Sequence, residues 1–121
     1  MVNILIIDDS PTEVYKLTTI LEKHKYAVQV ASSGEEGLKS AQATPPDLIL
    51  MDVVMPGVNG FQATRQLSRN AATKDIPVII VSTKDQDTDK VWGMRQGARA
   101  YLVKPVSENQ LLKAVSDALA G

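Results

Sequence analysis

Asp8 and Asp9 stand side by side where one apolar run of the chain stops, and Asp52 stands where another stops. Ser82 follows a third such run and Lys104 a fourth. The runs are Asn3-Ile4-Leu5-Ile6-Ile7, Asp47-Leu48-Ile49-Leu50-Met51, Pro77-Val78-Ile79-Ile80-Val81 and Tyr101-Leu102-Val103. If they are neighbouring parallel strands, their carboxyl ends share the edge of the sheet where ligands of open α/β sheets bind. Three carboxylates, a hydroxyl and an ammonium then face one small volume. Like charges roughly 4 Å apart repel by about 4 kcal/mol at an effective dielectric of 20. Such a cluster needs a cation or raised carboxyl pKa values. Mg²⁺ answers the need, because it takes hard oxygen ligands and keeps positions for water and phosphate oxygens. Ser82 and Lys104 add the hydroxyl donor and compact positive charge that a phosphoryl group requires. An isolated Asp-Asp pair more often caps a helix or solvates a turn, and a lone lysine before proline is usually surface. Their shared placement at strand ends is what gives them weight.

The elements that must position these groups are legible as alternation. Short apolar runs without polar interruption fit strands buried on both faces, and longer segments of helical period separate them. Three helix starts carry the pattern of a capping box: Ser10-Pro11-Thr12-Glu13, Ser33-Gly34-Glu35-Glu36 and Ser107-Glu108-Asn109-Gln110. The first helix presents Val14, Leu17 and Leu21 and stops near His24-Lys25, and a short strand runs from Tyr26 to Ala31. A second helix uses Leu38 and Ala41 and ends before Pro45-Pro46. Met55 to Gly60 reads as a loop, followed by a third helix with Phe61, Ala63, Thr64 and Leu67 inward. The fourth helix spans about Asp87 to Gln96 with Gly97 as its cap. The last, Ser107 to Leu119, carries Leu111, Leu112, Val115 and Leu119. The result is a (βα)5 chain.

At 121 residues, 44% apolar and 22% charged, the sequence fits one soluble domain. A net charge of −1 provides no global field for nucleic acid or an anionic membrane. The absence of cysteine excludes disulfides, thiol nucleophiles and thiolate metal sites, and a single histidine, His24, excludes a multi-histidine cluster. No stretch approaches the ~20 apolar residues of a membrane span, and the N-terminus enters a strand pattern without a signal peptide. The expectation is a cytoplasmic protein.

As a set, Ile6-Ile7-Asp8-Asp9-Ser10, Asp47 to Asp52, Met55-Pro56-Gly57-Val58-Asn59-Gly60, Pro77 to Ser82, Gln96-Gly97-Ala98 and Lys104-Pro105 resemble the receiver domains of two-component response regulators, the CheY-like group. The likeness covers essentially the whole chain. It implies a flavodoxin-like, doubly wound α/β sandwich whose five parallel strands lie in the order 2-1-3-4-5. It implies that Asp52 accepts a phosphoryl group from the histidine of a sensor kinase. Asp9 would bind Mg²⁺ directly, Asp8 mainly through water, and the backbone carbonyl of Val54 would be a further ligand. Ser82 and Lys104 would meet the phosphoryl oxygens, and Tyr101 would be the aromatic switch whose ring turns inward. The Lys104-Pro105 bond would be cis, and the fourth helix, fifth strand and fifth helix would form the output face. Val54 and Lys84 stand where receivers tune phosphate lifetime, and an apolar Val54 implies slower self-dephosphorylation.

Within the group, Asn59-Gly60-Phe61-Gln62-Ala63-Thr64-Arg65-Gln66-Leu67, the segment Ser82 to Gly93 and Ser10-Pro11-Thr12-Glu13 are similar to the short chemosensory regulators of type IV pili. That implies a CheA-like kinase and control of twitching or phototactic movement. A complete last helix ahead of Gly121 gives the expectation of a single receiver domain, 1–121, without an output domain.

Other readings weigh less. An aspartyl-phosphate phosphatase of the haloacid-dehalogenase kind needs a second Asp two residues after the nucleophile, where Val54 stands. A flavodoxin-like cofactor binder would cradle phosphate with Ser, Thr and Gly amides, whereas this first loop offers Asp8-Asp9, and no glycine-rich fingerprint follows. A phosphorylation-independent binding module is disfavoured because all five site positions hold suitable types. His24 is read as a helix C-cap, Asp85, Asp87 and Asp89 as helix-start charge, Met51 and Met55 as packing, and Trp92 as evenly divided between packing and partner contact.

Overall fold

The computed structural model describes residues 1–121. Five strands, β1 (Asn3–Ile7), β2 (Ala27–Ala31), β3 (Leu48–Met51), β4 (Val78–Ser82) and β5 (Ala100–Val103), alternate with five helices. The helices are α1 (Pro11–Lys23), α2 (Gly34–Ala43), α3 (Gly60–Arg69), α4 (Asp87–Arg95) and α5 (Glu108–Ala120). All strand pairs are parallel, in the order β2-β1-β3-β4-β5. The connection after β1 runs to one side of the sheet and the connection after β3 to the other, creating the switch point where such sheets bind ligands.

Register does the positioning. Ile7 pairs with Met51, so the next residue of each strand, Asp8 and Asp52, emerges at the same level. Ser82 pairs with Val103, which places Lys104 one step beyond the hydroxyl.

Side chains alternate across the pleat, dividing the core in two. Ile4, Ile6, Leu48, Leu50, Ile79 and Val81 pack with Leu17 and Leu21 of α1 and Leu111 and Val115 of α5. Leu5, Ile7, Ile49 and Met51 face Ala41 of α2 and Ala63 and Leu67 of α3. Truncating any of these fully buried leucines or isoleucines to alanine should cost about 2–5 kcal/mol. A smaller cluster of Val53, Phe61, Ile80 and Ala98, with Tyr101 against it, lies beneath the functional edge.

The caps separate what spacing specifies from what it does not. Ser107 and Gln110 form the full reciprocal box. Ser10 and Ser33 cap through their side chains alone. Glu13 does not reach back, its Oε1 being buried without a partner, and Glu36 instead accepts from the Ser32 hydroxyl. A reciprocal box absent from the sequence reading joins Asn59 and Gln62 at the start of α3. Asp89 accepts from the Gln86 amide at the start of α4, in keeping with helix-start charge. Gly97 has the left-handed backbone (φ 111°) that ends α4, and Lys25 (φ 69°) turns the chain after α1. On α5 the inner stripe is Leu111, Ala114, Val115, Ala118 and Leu119, with Leu112 displaced to its margin. The helical period allows both sets, and in the packed helix Ala114 and Ala118 take the inner positions. The Lys104–Pro105 bond is cis.

Candidate functional site

The carboxyl ends of β1, β3, β4 and β5 bring Asp8, Asp9, Asp52, Ser82 and Lys104 to one edge. One carboxylate oxygen from each of Asp8, Asp9 and Asp52 lies within 4.8 Å of the other two. Asp8 and Asp52 are nearly buried, 3% and 7% exposed, whereas Asp9 opens to solvent. Lys104 reaches across: its Nζ donates to Asp8 Oδ2 at 3.0 Å and to Asp52 Oδ1 at 3.3 Å. The other oxygen of Asp8 accepts from the Ser10 amide at 2.9 Å, so Asp8 also fixes the turn into α1.

Three carboxylates therefore lie together with one ammonium, which pairs with the two that have little water. Burial pushes the Asp52 carboxyl above its ordinary range; the charge of Asp8 pushes it further, and Lys104 opposes both. Burial alone would lower the Lys104 pKa, but the hydrogen bond to Asp8 and the charges of Asp52 and Asp8 outweigh it and hold the ammonium above its usual value. The edge carries a net negative charge in a partly dry place. An all-oxygen donor set of this kind fits a hard divalent cation such as Mg²⁺.

Ser82 is fully buried, and its Oγ accepts from the Lys84 amide at 3.1 Å. The Tyr101 hydroxyl donates to the Lys84 carbonyl at 2.8 Å. Its ring lies against Gly93 of α4, where an added Cβ would come within 3.0 Å of it. Burial raises the Tyr101 pKa, partly offset by the Ser82 hydroxyl. Thus Tyr101 is already stitched to the β4–α4 loop. The Val54 side chain is 62% exposed beside the site, where it offers no hydrogen bond to water.

Two supports escaped the sequence reading. Gly60 packs so closely on the strand end that a Cβ there would sit 2.0 Å from the Asp52 carbonyl oxygen, and its amide donates to the Val53 carbonyl. Glu35, on α2, accepts from the Val58 amide at 3.1 Å; backbone amides, its own and that of Val58, hold its carboxyl below the ordinary range. The loop after Asp52 is thus fastened at two points. Glycine at the start of α3 was the available signal for the first. The second joins residues 23 apart across two elements and leaves no local pattern.

Residues 4–116 match the model of the response regulator receiver domain. The chain is a response regulator receiver domain. The receiver is 63% identical over 121 residues, the whole of both chains, to Protein PilH of Pseudomonas aeruginosa. It is 38% identical, over 89% of its length, to the alkaline phosphatase synthesis transcriptional regulatory protein PhoP of Bacillus subtilis, of which that stretch spans 44%. Its structure superimposes on that of the chemotaxis protein CheY4 of Vibrio cholerae with a TM-score of 0.91, at 30% identity and 98% coverage of both chains. The receiver accordingly has the CheY-like fold and belongs to two-component signalling, a family of switches rather than of catalysts. None of its helices is long and apolar enough to cross a membrane.

Proposed function

We propose that this receiver is a Mg²⁺-dependent phosphoryl switch with Asp52 as the acceptor. The observation that carries the reading is the charge imbalance at the sheet edge: Asp8, Asp9 and Asp52 converge, and the single ammonium of Lys104 pairs with only Asp8 and Asp52. Asp9, open to solvent, is the direct metal ligand, Asp8 acts mainly through water, and the Val54 carbonyl completes the protein's contribution. When bound, Mg²⁺ neutralises charge on the transferring phosphoryl group and orients its oxygens. The Asp52 carboxylate attacks the phosphorus of a kinase phosphohistidine; an O–P bond forms, the P–N bond breaks, and the electron pair leaves with the imidazole. Lys104 stabilises the equatorial charge, a task of positioning and electrostatics rather than of base catalysis.

The acyl phosphate adds negative charge beside Ser82 and Lys104. The Ser82 hydroxyl can turn its proton to it while Oγ still accepts from the Lys84 amide, and Lys84 and Tyr101 follow because they are hydrogen-bonded in series. The movement reaches α4, β5 and α5, the face proposed to meet the downstream target. A groove of about 530 Å³ along β5 and α5, lined in part by Leu102, Lys113 and Ala114, supports that assignment. A CheA-like kinase, cytoplasmic location, a single-domain regulator and control of type IV pilus movement complete the reading, supported by the full-length similarity to PilH.

The test is intact mass after incubation with Mg²⁺ and acetyl phosphate. One added phosphoryl group, lost in Asp52→Asn and without Mg²⁺, is expected. No adduct from acetyl phosphate or from a phosphorylated kinase domain would sink the reading. The decay of the adduct should quicken in Val54→Asn, whose amide can orient an attacking water where valine cannot.

A further inference from the structure

We infer that the groove between α3 and α4 is a docking site for an acidic, partly apolar segment of a partner protein. It lies on the α3 side of α4, away from β5 and α5, and does not depend on phosphorylation for its test. The groove holds about 310 Å³ and is lined by Asn59, Phe61, Gln62, Arg65, Trp92 and Gln96. Trp92, the only tryptophan of the chain, is 48% exposed at its rim. Phe61 forms the floor and packs with Val53 and Ile80 beneath the phosphoacceptor strand.

Charge decides the occupant. The chain holds nearly equal numbers of acids and bases, 14 and 13, yet α3 contains Arg65 and Arg69 and no carboxylate. On the far side of Arg65 a second groove, lined by Gln42, Arg65, Gln66, Arg69 and Asn70, again contains none. Arg65 and Arg69 take part in no ion pair, although six pairs form elsewhere. The acids of α4 lie in its first turn, and Asp89 is already engaged by Lys84. What remains is a tryptophan and unpaired arginines over amide side chains. Such aromatic and guanidinium groups dominate binding energy at interfaces. A groove of this volume suits one edge of a helix or strand carrying Asp or Glu beside a large apolar residue. Nucleic acid is the poorer match, because the net charge of −1 gives no extended positive field.

A phage-displayed library of helical peptides, randomised on one face and selected against the intact unphosphorylated protein, provides the probe. Enriched peptides are expected to combine Asp or Glu with Leu, Phe or Trp and, where they lack tryptophan themselves, to shift the emission of Trp92. Arg65→Glu should weaken them about tenfold and Trp92→Ala by at least as much. Exchanging Glu for Lys in the peptide should restore binding to Arg65→Glu. Both substituted positions are exposed, and unchanged circular dichroism would verify the fold. Peptides without acidic bias, binding indifferent to both substitutions, or no enrichment would overturn the inference. So would self-association lost in Arg65→Glu, or stronger binding of a single-stranded oligonucleotide.

Discussion

Two cation–carboxylate clusters in this protein have nearly the same geometry and opposite consequences. Lys104 meets Asp8 and Asp52 at 3.0 and 3.3 Å, and Lys23 and His24 meet Glu108 at 3.0 and 3.1 Å. In the first cluster the side chains are 12%, 2% and 9% exposed. In the second they are 62%, 39% and 39% exposed. Water screens the α1–α5 cluster, and its effect on Glu108 is the ordinary one: the His24 and Lys23 hydrogen bonds hold the carboxyl below its usual range. At the sheet edge, burial and Asp8 push Asp52 the other way. Distance alone does not distinguish a surface tether from a site held ready for a cation and a phosphoryl group. Burial, and a surplus of carboxylate over ammonium, do.

The sharpest way to break the comparison is to remove each cation or its partner. Lys104→Met, in the absence of divalent cation, should lower the unfolding free energy by about 3 kcal/mol in urea titration, because two nearly buried carboxylates lose their counter-charge. Asp52→Asn in the same chain should recover most of that loss. Mg²⁺ at about a hundred times its Kd should raise stability by about 2.7 kcal/mol, read as a shift in thermal midpoint. Asp9→Asn should blunt it. A smaller effect belongs to pH. The Asp52 carboxyl is raised in the folded state, so it favours folding fully below the ordinary carboxyl range and loses that contribution as pH rises through its raised value. Metal-free Asp52→Asn should therefore exceed the parent in urea midpoint at pH 7, and the gap should narrow on acidification toward that range. Glu108 has the reverse sign: its contribution is present above the ordinary carboxyl range and fades as pH falls through its lowered value. Least of all, Glu108→Gln should leave the midpoint at pH 7 essentially where it was.

The sequence made the first cluster visible and the second invisible. Asp8, Asp52 and Lys104 each terminate an apolar run, so the register of a parallel sheet was enough to bring them together. His24 was legible as the end of α1, but its partner lies 84 residues away on α5, with no pattern to link them. Local capping was legible where serine led and overstated where glutamate followed: Glu13 and Glu36 found other surroundings. Asn59 and Gln62 carried the box spacing, concealed in a stretch read as loop up to Gly60. The hold of Glu35 on the β3–α3 loop, and the choice of Ala114 and Ala118 over Leu112, depend on how helices sit against one another. Periodicity does not encode that.

The hydrogen bond from Lys104 to Asp8 closes a span of 96 residues, and this bears on how the molecule forms. Parallel pairing with long crossovers delays such contacts until most of the chain is in place. The mutual repulsion of the carboxylates, and its relief by Lys104, should then be felt only after the rate-limiting barrier. Substitutions at Lys104 or Asp52 should change the unfolding rate and leave the folding rate almost untouched. A chain built this way can assemble its core before it meets the electrostatic cost of its own signalling edge.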